Sequence, residues 1–249
     1  VIVVDGNENL FKITEKKFSE VSNVKVLLCG SRQQGFATCL NYGIRHSFGD
    51  IICFLDDDAI ASDKWIPELL RAYQNDDAYG VGGSILPLWL SEKPDFLPDE
   101  LFWLIGSSVR FFPPELTDVR NAWGSNVSFR KVGIFSPVFG RKGNRLLQAE
   151  DADFGLRCLT TLGKGITFSP RAVVYHKIYP ERVRMRSLMA RAFEQGFSKA
   201  LICKLHGGLS KLSTEKSYLR VLISATIPKY FKHTLLGSSR VKAVKQLLF

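Results

Sequence analysis

The chain has 249 residues, 45% of them hydrophobic and 23% charged, which suits one large α/β domain or a domain with an extension. Its five cysteines stand singly, at positions 29, 39, 53, 158 and 203. Their spacing argues against a disulfide framework or zinc site and favours small core residues in a reducing compartment. The net charge of +10 is concentrated in residues 177–249, which hold 15 Lys and Arg against 3 Glu. This bias indicates an anionic partner, either a membrane leaflet or a nucleic acid.

The first half of the chain alternates short apolar runs with helical patterns. We predict strands at "VIVVD", "VKVLLCG", "DIICFLDDD" and "AYGVGGSILPLW", and helices at "GFATCLNYGIRHS" and "WIPELLRAY". Because the chain begins inside the first predicted strand, we expect further sequence before Val1. The alternation predicts an α/β fold with a mixed, mainly parallel sheet flanked by helices. Ligands bind at the carboxyl ends of such strands, where Asp5 and the triple aspartate 56–58 lie.

The second half is less regular. Residues 91–119 contain four prolines and many aromatics, which is typical of a substrate loop or lid, or else of an ordered connection that packs aromatics into the core. A helix is predicted from near Glu150 to a C-cap at Gly163. The segment "GITFSPRAVVYH" predicts one or two final strands that end at His176.

The run "FLDDDA" indicates a metal site. If the strand conformation continues, Asp56 and Asp58 project from one face and can hold one cation together. Oxygen ligands select Mg²⁺ or Mn²⁺, and such an ion commonly bridges a diphosphate. The simpler interpretation is an acidic loop that binds no ligand.

Two further motifs carry side chains that are suited to catalysis. In "AEDADF", Asp151 lies at a helix start, where the helix dipole stabilises carboxylates and would keep a general base ionised. The alternative is that these acids only favour the helix N-terminus. His176 closes "AVVYH", either as a structural histidine or as a third ligand beside Asp58.

In this order, "VVD", "FLDDDA" with Trp65, "GSNVSFRK", "AEDADFGLR" and "PRAVVYH" resemble the family 2 glycosyltransferases of the GT-A fold. The resemblance covers about residues 1–180. The stretches from "LFWLIGSSVR" to "PERVRMRSLMARAFEQGFSKA" are similar to bacterial and archaeal members that build cell-surface polysaccharides or glycans.

The resemblance implies an inverting, metal-dependent transfer from a nucleotide-sugar donor. It assigns the nucleotide base or ribose to Asp5, the ribose and metal to Asp56, and the metal to Asp58, with His176 as a further metal or phosphate contact. The donor-sugar and acceptor cleft is assigned to three consecutive residues, Gly124, Ser125 and Asn126. Asp151 would deprotonate the acceptor hydroxyl, and Glu150 would shape the acceptor site.

Residues 181–249 are predicted to form a basic, amphipathic helical extension. Within 182–199, Arg182, Arg186 and Lys199 stand among apolar residues, and "KYFKHTLLGSSRVKAVKQLLF" continues similarly. No apolar run reaches the ~20 residues that span a bilayer. We therefore expect peripheral contact with an anionic membrane, at the cytoplasmic face, and a lipid-linked or glycan acceptor. A basic bundle packed on the catalytic domain is the alternative, whereas nucleic acid is disfavoured because aromatics are not interleaved with the cations.

Two other functions remain open at this stage. A sugar nucleotidyltransferase also places acidic pairs on a Rossmann-like sheet, although it does not account for "EDADF" or "VVYH". A degenerate carbohydrate-binding subunit would need no catalytic acids, and the retention of both acidic sites weighs against it.

Overall fold

The computed structural model describes residues 1–30, 35–74, 78–108, 114–131, 135–142, 145–163, 165–208 and 213–228. The strands are β1 (Ile2–Asp5), β2 (Val26–Cys29), β3 (Ile51–Phe54), β4 (Ala59–Ala61), β5 (Gly80–Trp89), β6 (Thr117–Val119), β7 (Val127–Arg130), β8 (Gly140–Lys142), β9 (Arg145–Leu147) and β10 (Ile166–Ile178). The helices are α1 (Glu8–Lys17), α2 (Phe36–Arg45), α3 (Trp65–Ala72), α4 (Glu150–Leu162), α5 (Met185–His206) and α6 (Ser213–Val221). This arrangement confirms the predicted α/β class.

The central sheet is mixed and is organised around β10. Along one edge β10 pairs in parallel with β5, and along the other it pairs antiparallel with β6 near its start and with β4 near its end. The sheet continues from β5 through β7 to β3, while β1 and β2 form a separate parallel pair. Because β10 is the longest strand and has neighbours on both sides, it fixes the positions of the loops that follow β3 and β5.

Glycines allow β5 to lie unusually close to its neighbours. A Cβ atom on Gly82 would lie 2.0 Å from the Cβ of Ala122, and one on Gly83 would lie 2.0 Å from the carbonyl oxygen of Ala172. The register between β5 and β10 shifts between Ser169 and Val173, which leaves a bulge in β10 at this point. The glycine-rich segment is therefore required by the close approach of backbone and side chains.

Helices cover both faces of the sheet. Trp65 and Leu69 of α3 pack with Val81 and Val174, and Phe154 of α4 packs with Phe129 of β7. Helix α4 begins and ends where the sequence predicts, with Gly163 in the left-handed conformation (φ 66°) that a glycine C-cap adopts.

The segment 91–119 proves to be ordered where it is described. A 3₁₀ helix covers Asp99–Ile105, and four of its apolar side chains are buried, namely Leu101, Phe102, Leu104 and Ile105. Their burial agrees with the interpretation as an ordered connection that packs aromatics into the core. Residues 109–113 of this segment lie outside the described residues.

The predicted extension packs closely against the rest of the fold. Leu188 of α5 is fully buried with Ile105 and Ile178, and Ile202 is buried beside Phe139. The predicted division near residue 180 remains a prediction, and residues 229–249 of the basic tail lie outside the described residues. Among the described helices, none combines the length and apolar character needed to cross a bilayer.

The expectation of singly placed, reduced cysteines is wrong for two of the five. Cys29 at the end of β2 and Cys39 in α2 form a disulfide, with their Cα atoms 5.6 Å apart. The sequence shows only a spacing of ten residues, whereas the contact between α2 and β2 brings the two residues together.

A partly buried ion-pair network joins α6 to the body of the protein. Both Nη atoms of Arg120 donate to the Glu215 carboxylate, at 2.6 and 2.8 Å, and Lys199 Nζ lies 3.0 Å from Glu215 Oε1. Burial opposes ionisation of Glu215, but the two cations outweigh it and lower its pKa to about 2. The network therefore stabilises the fold as long as Glu215 carries its charge.

We expect Glu215→Gln to lower the free energy of unfolding by about 2 kcal/mol at pH 7, because it removes charged hydrogen bonds from partly buried cations. Since the pKa is lower in the folded state, the difference from wild type is complete above the ordinary Glu pKa of 4.5 and shrinks as the pH falls towards 2. Urea denaturation between pH 3 and 7 measures it. The control is Glu181→Gln, because Glu181 and Arg184 form an exposed pair 3.5 Å apart, which we expect to contribute under about 1 kcal/mol. Equal losses in both variants would contradict this role for Glu215.

Candidate active site

The pairing of β4 with β10 places the acidic triplet next to His176. Strand β3 ends at Phe54, and the aspartates lead directly into β4. In the antiparallel register His176 lies opposite Ala59, and the backbone N–H of Lys177 donates to the carbonyl of Asp58 at 2.8 Å. Residues more than 110 positions apart in the sequence are thereby brought into one group.

Asp56, Asp58 and His176 form a group that can hold a metal ion. One ligand atom from each lies within 4.8 Å of the others, and His176 Nε2 is 3.2 Å from Asp58 Oδ1. Both carboxylates are partly exposed and the imidazole is buried. Two carboxylates and one imidazole are a donor set that suits a divalent cation such as Mn²⁺. The residues present therefore fit the metal that the sequence predicts.

The two aspartates differ in their electrostatic environment. Burial raises the pKa of Asp56 and the charge of Asp58 adds to this, against a lowering hydrogen bond from Ser125. Burial also acts on Asp58, but the hydrogen bond and charge of His176, together with the charge of Arg182, outweigh it and lower its pKa. Asp58 is thus the more firmly ionised of the two and the stronger candidate ligand.

The segment Gly124–Asn126 connects to the acidic group through Ser125. Its hydroxyl donates to Asp56 Oδ2 at 2.6 Å, which fixes one carboxylate oxygen. Gly124 and Ser125 are partly exposed beside it. The donor-cleft role of these two residues stays a prediction.

Asn126 has a different environment from the cleft position predicted for it. Its side chain is fully buried, and its Oδ1 accepts from Trp65 Nε1 at 2.7 Å. Its Nδ2 donates to the carbonyls of Ser84 and Ala172, at 2.9 and 2.8 Å, beside the bulge in β10. All its hydrogen-bonding groups are used inside the protein, so Asn126 holds the strands beneath Ser125 together and its side chain does not face a cleft.

The second acidic pair begins α4. The preceding residue, Ala149, has φ 147° and ψ 20°, a conformation that non-glycine residues rarely adopt. Its N–H donates to Glu150 Oε2 at 3.1 Å, while Asp151 Oδ1 accepts from the N–H of Ala152 at 2.6 Å. An unfavourable backbone conformation beside two acids is the kind of strain that occurs at functional sites.

Burial dominates the protonation of this pair. It raises the pKa of Glu150 to about 7, with the charge of Asp151 adding to the effect. It raises the pKa of Asp151 as well, and the cations that oppose this rise are Lys199 and Arg120. The expectation that the helix N-terminus alone keeps Asp151 ionised is therefore incomplete. As whole residues, Glu150 and Asp151 are partly exposed.

The two acidic pairs lie close enough to influence each other. The charge of Asp56 contributes to the raised pKa of Glu150. Gly155 of α4 lies against residues 120 and 121, since a Cβ there would be 2.5 Å from the carbonyl oxygen of Arg120. This close approach fixes the start of α4 near the segment that carries Ser125. The predicted metal group and the predicted base thus border one region of the protein.

Asp5 occupies the carboxyl end of β1 and is exposed. Its Oδ1 lies 3.6 Å from Cys39 Sγ, so the disulfide is next to the residue predicted to contact the nucleotide. The position agrees with the rule that ligands bind beyond the carboxyl ends of strands, and the nucleotide contact itself stays a prediction.

Three cations at the site were not predicted to be there. Arg182 lies beside Asp58 and His176, and Arg120 and Lys199 act on Asp151. The basic pattern of residues 182–199 assigned Arg182 and Lys199 to a membrane face instead. For Arg182 and Lys199 the available signal was the slight excess of acids over bases in residues 1–176 beside the basic excess of the remaining chain, and this signal does not extend to Arg120.

Comparison with known proteins identifies the family. The model described as "Glycosyl transferase family 2" matches residues 1–133. A glucosyl-dolichyl phosphate glucuronosyltransferase of Haloferax volcanii is 34% identical over 254 residues, covering 100% of this chain and 80% of the relative. The succinoglycan biosynthesis protein ExoM of Rhizobium meliloti is 28% identical over 184 residues, covering 67% of this chain and 53% of that protein.

Two solved structures share the fold. GalNAc-T7 with UDP, GalNAc and Mn²⁺ aligns with 87% of this chain and 47% of its own, at a TM-score of 0.52 and 14% identity. The mannosyltransferase PcManGT from Pyrobaculum calidifontis, in complex with GDP-Man and Mn²⁺, aligns with 99% of this chain and 68% of its own, also at 0.52 and 14%. At this identity the likeness shows the fold alone, and it confirms the GT-A prediction. Together with the sequence matches, it establishes that the chain belongs to glycosyl transferase family 2.

Proposed function

We propose that the protein transfers a sugar from a nucleotide-diphosphate sugar to a hydroxyl of a glycan or lipid-linked acceptor, with inversion at the anomeric carbon. The observation that carries the proposal is the convergence of Asp56, Asp58 and His176 on one group with metal-ligand spacing. Membership of glycosyl transferase family 2 supplies the reaction class.

The metal group and its neighbours form the proposed donor side of the site. Asp58 and His176 would hold a Mn²⁺ or Mg²⁺ ion, with Asp56 as a further ligand that Ser125 orients. When bound, such an ion acts as a Lewis acid that stabilises negative charge on the departing diphosphate. Asp5 is proposed to contact the nucleoside, and Gly124 to border the donor sugar.

Asp151 is the proposed general base. As the acceptor oxygen forms its bond to the anomeric carbon, the bond from that carbon to the diphosphate breaks and its electron pair leaves with the nucleotide. The acceptor proton passes to Asp151, whose raised pKa makes it a better proton acceptor than an exposed aspartate. Glu150, with a pKa of about 7, is proposed to orient the acceptor.

A lipid-linked acceptor is proposed from the name of one relative and from one exposed apolar surface on α5. The name of the Haloferax volcanii relative describes a protein that acts on a dolichyl-linked glucosyl phosphate. In this chain, α5 exposes an apolar stripe at four-residue spacing, with Met189 61%, Phe193 77% and Phe197 58% exposed. Such a stripe suits contact with a lipid surface.

Charge favours a membrane as the partner of this stripe. Arg186 and Lys204 are exposed at its two ends, where their long side chains can reach lipid phosphates. Lys216 and Arg220 are exposed on the neighbouring α6, together with Ile223 in the turn that follows. We therefore propose peripheral binding to an anionic leaflet, with the cytoplasmic face as the side whose lipids complement these cations.

The sugar nucleotidyltransferase hypothesis receives no support from the family match, which names glycosyl transferases. The degenerate carbohydrate-binding subunit is tested by nucleotide-sugar hydrolysis with and without Mn²⁺. Stimulation by Mn²⁺ would discard it, and the absence of any turnover with a broad panel of donors would favour it.

We expect Asp58→Asn to abolish Mn²⁺-dependent binding of nucleotide sugars, because it removes the most firmly ionised ligand of the group. Calorimetric titration of a panel of nucleotide sugars, with Mn²⁺ or with EDTA, measures the effect. Asp57→Asn is the matched control, since Asp57 is exposed between the two ligands, and it should bind as wild type does. Donor affinity that EDTA leaves unchanged in the wild-type protein would refute the metal assignment.

We expect Asp151→Asn to reduce transfer by about 10²- to 10⁴-fold while donor affinity stays near that of wild type, because a general base acts on the acceptor proton. Release of nucleoside diphosphate measures transfer, and calorimetry measures donor binding. Asp63→Asn changes an exposed carboxylate and should alter neither. A parallel fall in donor affinity and turnover would argue against the base role.

For the membrane, we expect the double variant Phe193→Ser/Phe197→Ser to bind anionic vesicles at least about tenfold more weakly. The reason is that burial of one phenylalanine side chain contributes a free energy of about 2 kcal/mol. Flotation with phosphatidylglycerol-containing liposomes at two salt concentrations measures this. The control is Phe48→Ser, which alters a side chain 91% exposed before β3, away from the carboxyl strand ends. Equal flotation of both variants, or none by wild type, would discard the lipid surface as the partner of this stripe.

A further inference from the structure

Arg182 occupies the proposed metal site with its guanidinium group. Its Nη2 lies 3.4 Å from Asp58 Oδ2, and its Nη1 lies 2.9 Å from Nε2 and 3.0 Å from Nδ1 of His176. Nη1 also donates to the carbonyl of Ile105 at 3.2 Å. Two of the three candidate metal ligands therefore contact a fixed positive charge that belongs to the protein.

The surrounding fold holds Arg182 in this position. It lies in a 3₁₀ turn, Pro180–Val183, directly after β10, and the side chain of Val183 is anchored in the core. Gly106 completes the space beside the guanidinium, because a Cβ on this residue would lie 3.3 Å from His176 and 3.5 Å from Arg182. Gly106 also has φ 80°, which disfavours other residues. The side chain is only about one fifth exposed.

A guanidinium and a divalent cation are both positive, so they repel each other when they bind the same carboxylate. A free metal ion must therefore displace Arg182 from Asp58, whereas a metal that arrives with a diphosphate brings negative oxygens for the displaced group. The planar, five-donor guanidinium matches phosphate oxygens better than an ammonium does.

On this basis, and resting on the proposed function, we propose that Arg182 is a donor-binding residue that exchanges Asp58 for the donor's diphosphate. In the nucleotide-free protein it neutralises Asp58 and competes with metal. When a nucleotide diphosphate is present, it contacts the phosphate oxygens instead. Metal binding at Asp58 is thereby made dependent on the nucleotide.

The test is Arg182→Gln, which removes the charge and keeps much of the side-chain length. Mn²⁺ binding is followed from the electron paramagnetic resonance signal of free Mn²⁺, without nucleotide and with UDP or GDP as probes. We expect the variant to bind Mn²⁺ alone at least about threefold more tightly, and to bind the better of the two nucleotides with Mn²⁺ about tenfold more weakly. Arg184→Gln is the control, because the Arg184 side chain is 70% exposed and, among the described residues, its ion pair is with Glu181.

A second variant, Arg182→Lys, keeps the competing charge but loses the bidentate fork. We expect its affinity for Mn²⁺ alone to stay within about twofold of wild type while nucleotide binding weakens. Unchanged or weaker Mn²⁺ binding in Arg182→Gln would overturn the competition, and unchanged nucleotide binding would overturn the exchange onto the diphosphate. If wild type and Arg184→Gln bind no Mn²⁺ under any condition, the proposed metal site fails as well, which separates that failure from one confined to Arg182.

Discussion

The acidic site depends on positive charge that comes from distant parts of the chain. Asp56, Asp58, Glu150 and Asp151 border one region, and burial raises the pKa of three of them. Packing so many carboxyls together is unfavourable unless cations compensate. Among the described residues, Arg182 contacts Asp58 of the first pair. Lys199 and Arg120 partly compensate the second pair, because their charges act to lower the pKa of Asp151.

Strand β10 links the fold to this charge balance. It carries His176 into contact with Asp58, and its bulge exposes the carbonyl of Ala172 to the amide of Asn126. Asn126 in turn fixes the turn that places Ser125 on Asp56. Strand β10 thus helps to position both aspartates. It contacts Asp58 through the side chain of His176, and it acts on Asp56 through the buried amide of Asn126 and the hydroxyl of Ser125.

Local patterns were sufficient to predict much of this architecture. The strand end at Asp5, the start of α4 and its cap at Gly163 follow from short-range signals that act within a few residues, whereas β3 ends at Phe54, before the aspartates that the predicted strand included. Pairings across long separations had no such signal, and the Cys29–Cys39 disulfide and the burial of Asn126 were missed for that reason. Amphipathic spacing in 182–199 also did not separate buried from exposed apolar positions, since Leu188 is buried and Phe193 is exposed.

In the proposed function, α5 serves both the chemistry and a lipid-linked acceptor. Leu188 and Ile202 fix the helix on the core, Lys199 lies at the carboxylate of Glu215 and acts on Asp151, and Phe197 is exposed on the opposite side of the helix. The width of a helix, about 10–12 Å with its side chains, separates these faces. In the proposed function, an acceptor sugar at Asp151 would then lie about one helix width from the surface that is proposed to contact lipid.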